Sequence, residues 1–191
     1  MIIVKLGGSL YASPYLKQWC DQLASIHQQS IVIVPGGGPF VDQVRDADKQ
    51  WNLSEATAHE MAVIGMQQFG LLIGDINQKI KPLETINNVT SRNPFVWLPY
   101  QDVLDDCDYP KNWQTTSDSL ALWLACKLSA GHLCLVKSTD MDDQSSEQLA
   151  DSDLVDDYFS TAMANYLGHI HFYHASHATH FINDLNNGKF N

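Results

Sequence analysis

No run of about eighteen apolar residues occurs anywhere in the chain, so a membrane-spanning helix is not expected. Basic residues are scarce: Lys and Arg number 11 against 22 Asp and Glu, a formal net charge of −11. Such a field repels nucleic acid and anionic membrane surfaces, so neither is expected as a partner, and any phosphate bound here must be met by local donors. Cysteine is sparse and scattered, at positions 20, 107, 126 and 134 with no CxxC pair, which argues against a disulfide framework and fits reduced thiols. The N-terminal apolar run is too short for a secretory h-region, lacks a basic leader and ends in Gly-Gly, so a cytoplasmic location is expected. Repeats, linkers and low-complexity tracts are missing too, and 191 residues are expected to form a single domain over 1–191.

Short β-branched runs that end in glycine are present. Residues 1–6 and 31–35 have the apolar density of strands buried on both faces. Between them, Ser13-Pro14 opens a helical pattern through Tyr15, Leu16, Trp19, Leu23 and Ile26. Phe40, Val41 and Val44 begin a second helix, and a long one is expected from a Ser54 cap to about residue 72. A strand over 95–98, a polar turn over 112–117, a helix over 117–130 and a strand over 132–138 follow. A helix over 154–167, the strand HIHFYH (169–174) and a short helix over 178–185 complete the pattern. The acidic stretch 140–153 has the least regular pattern. Strands alternating with helices along the whole length predict an α/β fold with a mostly parallel sheet covered on both faces.

In such a sheet, ligands sit beyond the carboxyl ends of the strands, where GGS (7–9) and GGG (36–38) both fall. Glycine lets main-chain N–H groups approach an anion, and the helix that follows adds favourable partial charge. Neither cluster is a Walker A loop or a GxGxxG fingerprint; taken singly, each also reads as a tight turn. Lys5 interrupts the first apolar strand near its end. Its stem can pack in the core while its ammonium reaches the glycine turn, or it can snorkel to water at a sheet edge.

The ordered motifs VKLGGS (4–9), IVIVPGGGPF (31–40), TTSDSLALWLA (115–125) and LVKSTDMDD (135–143) resemble the amino acid kinase superfamily of acetylglutamate, aspartate, carbamate and uridylate kinases. The stretch 44–73 is most similar to small kinases of methanofuran biosynthesis, which convert an aminomethylfuran-methyl phosphate to its diphosphate. The resemblance implies a three-layer αβα sandwich and an ATP- and Mg2+-dependent phosphotransferase. It also implies a small phosphorylated or carboxylated acceptor and a homo-oligomer. By the same comparison Lys5, Asp118 and Lys137 are catalytic, the aspartate orienting both lysines; Lys137 is similar to the lysine of the uridylate kinase motif KxTxxDG. Gly7, Gly8, Ser9, Lys137, Thr139 and Asp140 are expected at the nucleotide. Gly36, Gly37, Gly38, Arg45, His59, Thr116 and Ser117 are expected at the acceptor. Positioned positive charge is what phosphoryl transfer needs.

The chain also departs from the family. After KSTDMD, Asp143, Gln144 and Ser145 stand where the family has Gly-Val and an aromatic, and the Gly-Gly-Met segment with a further lysine is missing, so the nucleotide lid is shortened. A non-catalytic nucleotide- or metabolite-binding module and a kinase with another acceptor therefore stay open. Asp118 also reads as a helix cap and His59 as helix packing. Asp140, Asp142 and Asp143 read better as a solvated acidic loop than as a magnesium site. The histidines at 169, 171, 174, 177 and 180 straddle a strand and a turn, without zinc spacing, so no metal site is expected. Trp113 stands out as a stacking platform for substrate.

Overall fold

The computed structural model describes residues 1–89, 93–139 and 155–190. Six strands form one sheet: β1 (Ile2–Leu6), β2 (Ile31–Pro35), β3 (Lys81–Leu83), β4 (Pro94–Trp97), β5 (His132–Lys137) and β6 (His169–His174). Their spatial order is β3-β4-β2-β1-β5-β6 and every pairing is parallel. Helices α1 (Tyr15–Ala24), α2 (Gly38–Trp51), α3 (Glu55–Ile76), α4 (Tyr100–Asp106), α5 (Ser117–Lys127), α6 (Asp157–Ala162) and α7 (Ala178–Asn186) cover it. Among the described residues no helix is long and apolar enough to cross a membrane.

Strand parity assigns the faces, because successive side chains point to opposite sides. Ile2, Val4, Leu6, Ile33, Cys134 and Val136 pack against Trp19 and Leu23 of α1, Phe69 and Ile73 of α3 and Phe181 of α7. Ile3, Val32, Val34, Leu133 and Leu135 face the other way, onto α5, Phe159 of α6 and the Val63–Met66 turn of α3. Residues 118–125 of α5 are all buried, as its nearly unbroken apolar sequence requires. Lys5 and Lys137 share parity with Ile3 and Leu135, so both belong to the α5 face. Strand β1 leads to β2 on one side while β5 leads to β6 on the other. The crevice of an open parallel sheet therefore lies between the carboxyl ends of β1 and β5.

Several expectations are corrected. The edge strand β3 and helix α4 were not foreseen, and a 3-10 turn, Gly8–Ala12, intervenes before α1. Helix α2 starts at Gly38 rather than Phe40, and α3 runs on to Ile76 from its Ser54 cap, which accepts from Thr57 N. The single helix expected over 154–167 is the short α6 followed by a 3-10 turn at Met163–Asn165, because Asp156 caps α6 only at that point. The acidic stretch 140–153 lies outside the described residues.

Candidate active site

The two glycine turns interlock main chain to main chain. A Cβ on Gly36 would stand 2.3 Å from Gly8 N, and one on Gly8 would stand 2.3 Å from Gly38 N, so only hydrogen fits at either position. Gly38 takes φ +54, a left-handed value that glycine adopts freely, and it begins α2. Gly8, Ser9, Gly37 and Gly38 thereby line a cavity of about 390 Å³ at the amino end of α2, where peptide dipoles favour an anion. Ser9 Oγ lies 2.8 Å from Ser138 Oγ, tying the first turn to the end of β5.

Lys5 is 5% exposed and Asp118, in the first turn of α5, is equally buried. Lys5 Nζ stands 2.9 Å from Asp118 Oδ1, and Lys137 Nζ donates to Asp118 Oδ2 at 2.5 Å. A buried ammonium is tolerable only when paired, which accounts for a lysine inside an apolar strand. Burial alone would raise the Asp118 pKa, but the two ammonium groups outweigh it and hold the carboxyl below its usual range. Burial and the neighbouring Lys5 charge lower Lys137 to about 8, against the pull of Asp118. Two ammonium groups converge on one carboxylate beside bare main-chain amides, an arrangement suited to polyphosphate.

Away from the lysines the cavity wall is apolar, with Val41, Ala62, Val63, Met66 and Leu120. Trp113 closes one side, its indole donating to Asp48 Oδ2 at 2.9 Å. The Arg45 guanidinium lies 5.5 Å from the Trp113 ring centroid and pairs with Asp42 at 2.7 Å. His59 is buried against the Asn112 backbone, and burial holds its imidazole below the ordinary pKa, favouring the neutral form. Thr115 Oγ1 on the same wall is buried and makes no hydrogen bond among the described residues.

Of the residues singled out from sequence, Lys5, Gly8, Ser9, Gly37, Gly38, Arg45, His59, Thr116 and Ser117 line this one cavity, and Asp118 joins Lys137 to it. Gly7 and Gly36 lie outside its lining and act as spacers between the loops, Thr139 is exposed, and Asp140 is outside the described residues. Sequence reasoning passed over Thr115, the apolar wall and Asp156. Only the last left a local trace, as the cap of α6. The tail histidines lie away from this cavity, and among the described residues no group of three or more His, Cys, Asp or Glu is arranged to hold a metal.

The model of the amino acid kinase family matches residues 1–157. The chain belongs to the amino acid kinase family. It is 33% identical over 148 residues to the [5-(aminomethyl)furan-3-yl]methyl phosphate kinase of Methanocaldococcus jannaschii, which spans 74% of this chain and 67% of that protein. Among solved structures it resembles UMP kinase from Ureaplasma parvum, with TM-score 0.69, 12% identity and coverage of 98% and 95% of the two chains. It also resembles isopentenyl phosphate kinase from T. acidophilum, with TM-score 0.62, 13% identity and coverage of 100% and 97%. Identities this low show a common fold, the parallel sheet with helices on both faces. As an amino acid kinase family member the protein is an ATP-dependent phosphotransferase with a small-molecule substrate.

Proposed function

We propose that the protein transfers the γ-phosphoryl group of ATP to the phosphate of a small aromatic acceptor, [5-(aminomethyl)furan-3-yl]methyl phosphate being the best candidate. The bond from Pγ to the β-bridging oxygen breaks, an acceptor phosphate oxygen bonds to Pγ, and the products are ADP and a diphosphate ester. One observation carries the reading: Lys5 and Lys137 converge on Asp118 beside the Gly8 and Gly37–Gly38 amides, next to a pocket whose far wall is apolar and aromatic.

In this reading Lys5 and Lys137 neutralise charge on the transferring group, and Asp118 holds their spacing. Gly8 and Ser9, with Thr139 and Asp140 of the sequence that follows β5, serve the nucleotide, and Gly7 shapes the turn that presents the first two. Gly37, Gly38 and Ser117 cradle the acceptor phosphate, with Gly36 and Thr116 holding the turns that present them. His59 and Arg45 bound the acceptor, whose ring lies against Trp113 and Met66. The cavity that Gly8, Gly37 and Gly38 line at the amino end of α2 fits a phosphate chain. With both Asp118 oxygens taken by lysines, Mg2+ is expected to arrive on the phosphate oxygens rather than in a protein cage. The proposal takes 1–191 as one kinase domain acting in the cytoplasm as a homo-oligomer, checked by sedimentation.

The test is a screen of acceptors with Mg-ATP, following ADP release and the 31P signals of a diphosphate ester. Turnover is expected on the aminomethylfuran-methyl phosphate ahead of UMP, isopentenyl phosphate and carboxylic acids. Preference for UMP or for a carboxylate would reassign the acceptor. Calorimetric ATP binding with no ADP formed from any acceptor would leave a binding module.

A further inference from the structure

Asp156 caps α6, its Oδ1 accepting from Phe159 N at 3.0 Å. The same carboxylate also crosses to α5. Its Oδ2 accepts from Thr116 N at 3.0 Å, Thr116 Oγ1 at 2.7 Å and Ser119 N at 3.1 Å, and its Oδ1 takes a short hydrogen bond from the Ser119 hydroxyl. A cap needs one or two donors from its own helix. Here four of the donors come from the first turn of another helix, the turn that carries Asp118. Thr116 is the cap of α5 and accepts from Asp118 N at 3.4 Å, so Asp156 braces the backbone that aims Asp118 between the two lysines. Tyr158 N donates to Gln114 O at 3.3 Å, stitching α6 to the loop that also carries Trp113 and Thr115.

The charges acting on Lys137 among the described residues come from three elements: Lys5 on β1, Asp118 on α5 and Asp156 at the head of α6. Burial and Lys5 disfavour its ammonium, and Asp118 and Asp156 favour it. We propose that Asp156 is a positioning residue of the phosphoryl-transfer centre, fixing the Asp118 turn and adding a negative charge that acts on Lys137. The inference rests on the lysine centre being the phosphate site.

The experiment compares wild type with Asp156→Asn, which keeps the size, removes the charge and turns one of the two accepting oxygens into a donor. Lys137 is followed directly by NMR of enzyme carrying 13Cε-labelled lysine, with Lys137→Arg for assignment, and kcat/KM for ATP is measured across pH. In Asp156→Asn the Lys137 midpoint should fall by about half a pH unit or more, since an opposite charge has been taken from its surroundings. The alkaline limb of kcat/KM should follow it. A midpoint that stays in place overturns the proposal, since a purely structural brace would lower rates without moving the titration. A midpoint that moves while the alkaline limb does not leaves Asp156 in its role and overturns the phosphate-site reading instead. Ser119→Ala, which deletes one donor and keeps every charge, covers the case in which Asp156→Asn does not fold. It should lower kcat severalfold with the Lys137 midpoint unchanged, and an unchanged kcat counts against the brace.

Discussion

Strands β1, β5 and β6 carry a titratable cluster toward each end, and the two clusters meet their surroundings in opposite ways. At the carboxyl ends, Lys5 and Lys137 both reach the shared Asp118 carboxylate within 2.9 Å and hold that carboxyl below its usual range. Toward the amino ends, the His132 and His171 rings meet Phe190, and His169 stacks on His132. His132 Nδ1 and His171 Nε2 lie 3.1 Å apart and share a hydrogen bond that requires at least one of the two rings to present a lone pair. Burial holds both imidazoles below their ordinary pKa, His171 at about 4. The ammonium groups beside Asp118 favour its anion, while burial leaves the two imidazoles favouring their neutral form. The end with the paired charges is also the end with the glycine turns, where the proposed chemistry belongs.

The sharpest way to break that contrast is Lys5→Ala. The variant should lower kcat at least about a hundredfold, roughly 2.7 kcal/mol of transition-state stabilisation, while Lys137 still satisfies Asp118 and the fold persists. Steady-state ADP release together with circular dichroism checks this, and an unchanged rate would remove Lys5 from the mechanism. Gly8→Ala ranks next. Its Cβ would sit 2.3 Å from Gly38 N and 2.9 Å from Gly38 Cα, both backbone atoms that must shift. A cost of about 2 kcal/mol follows from overpacking, read as a Tm lower by about 4–8 °C with activity down more than tenfold. At the opposite end Gly131 has no heavy atom within 4 Å of such a Cβ, so Gly131→Ala should move Tm by about 2 °C at most.

A gentler probe is pH. Lys137 is the softened member of the lysine centre, at about 8. Its ammonium is present below that pH and is lost above it, so kcat/KM for ATP, which reports the free enzyme, should decline as pH rises through about 8. Bound phosphate favours the ammonium, so the kcat limb should lie at higher pH than the kcat/KM limb. Coincident limbs, or a kcat/KM still rising at pH 9, would take Lys137 away from the nucleotide. In Lys137→Arg the limb should vanish, since a guanidinium does not titrate in this range.

The carboxyl-end cluster was legible in sequence because its parts tolerate few substitutes. A lysine inside an apolar strand demands a buried partner, and glycines at two strand ends demand close backbone approach. Asp118 completed the set through the order of motifs. Val63 and Met66 were not legible as cavity wall, since an apolar residue facing a cavity looks like one facing the core. Asp156 stands in the run DLVDDY, where any of three acidic residues could cap a helix. The partners that give it meaning, Thr116 and Ser119, are 40 and 37 residues away. Strand β3 is three residues with Pro82 at its centre and two exposed positions, too short for any alternation to register. The expected helix over 154–167 overran because its apolar spacing persists past the point where the 3-10 turn at Met163–Asn165 replaces the α-helix.

The smallest expected effect lies at the amino end. His171 has a folded-state pKa of about 4 against an ordinary 6.5, so the unfolded chain binds the extra proton across that window. Stability from this group is therefore complete above about pH 6.5 and is lost progressively as pH falls toward about 4. Wild-type Tm should sag across that interval, and in His171→Gln, which retains a hydrogen-bonding side chain and carries no charge in acid, the decline should be shallower. His171 pairs with Cys134, three residue steps or roughly 10 Å of extended strand before Lys137, so the turnover of the variant at pH 7.5 should stay within about twofold of wild type. An equally steep acid decline in the variant would shift the acid sensitivity to the lysine centre, where protonation of Asp118 would unbalance two buried cations, and the contrast between the two ends would then have to be drawn the other way.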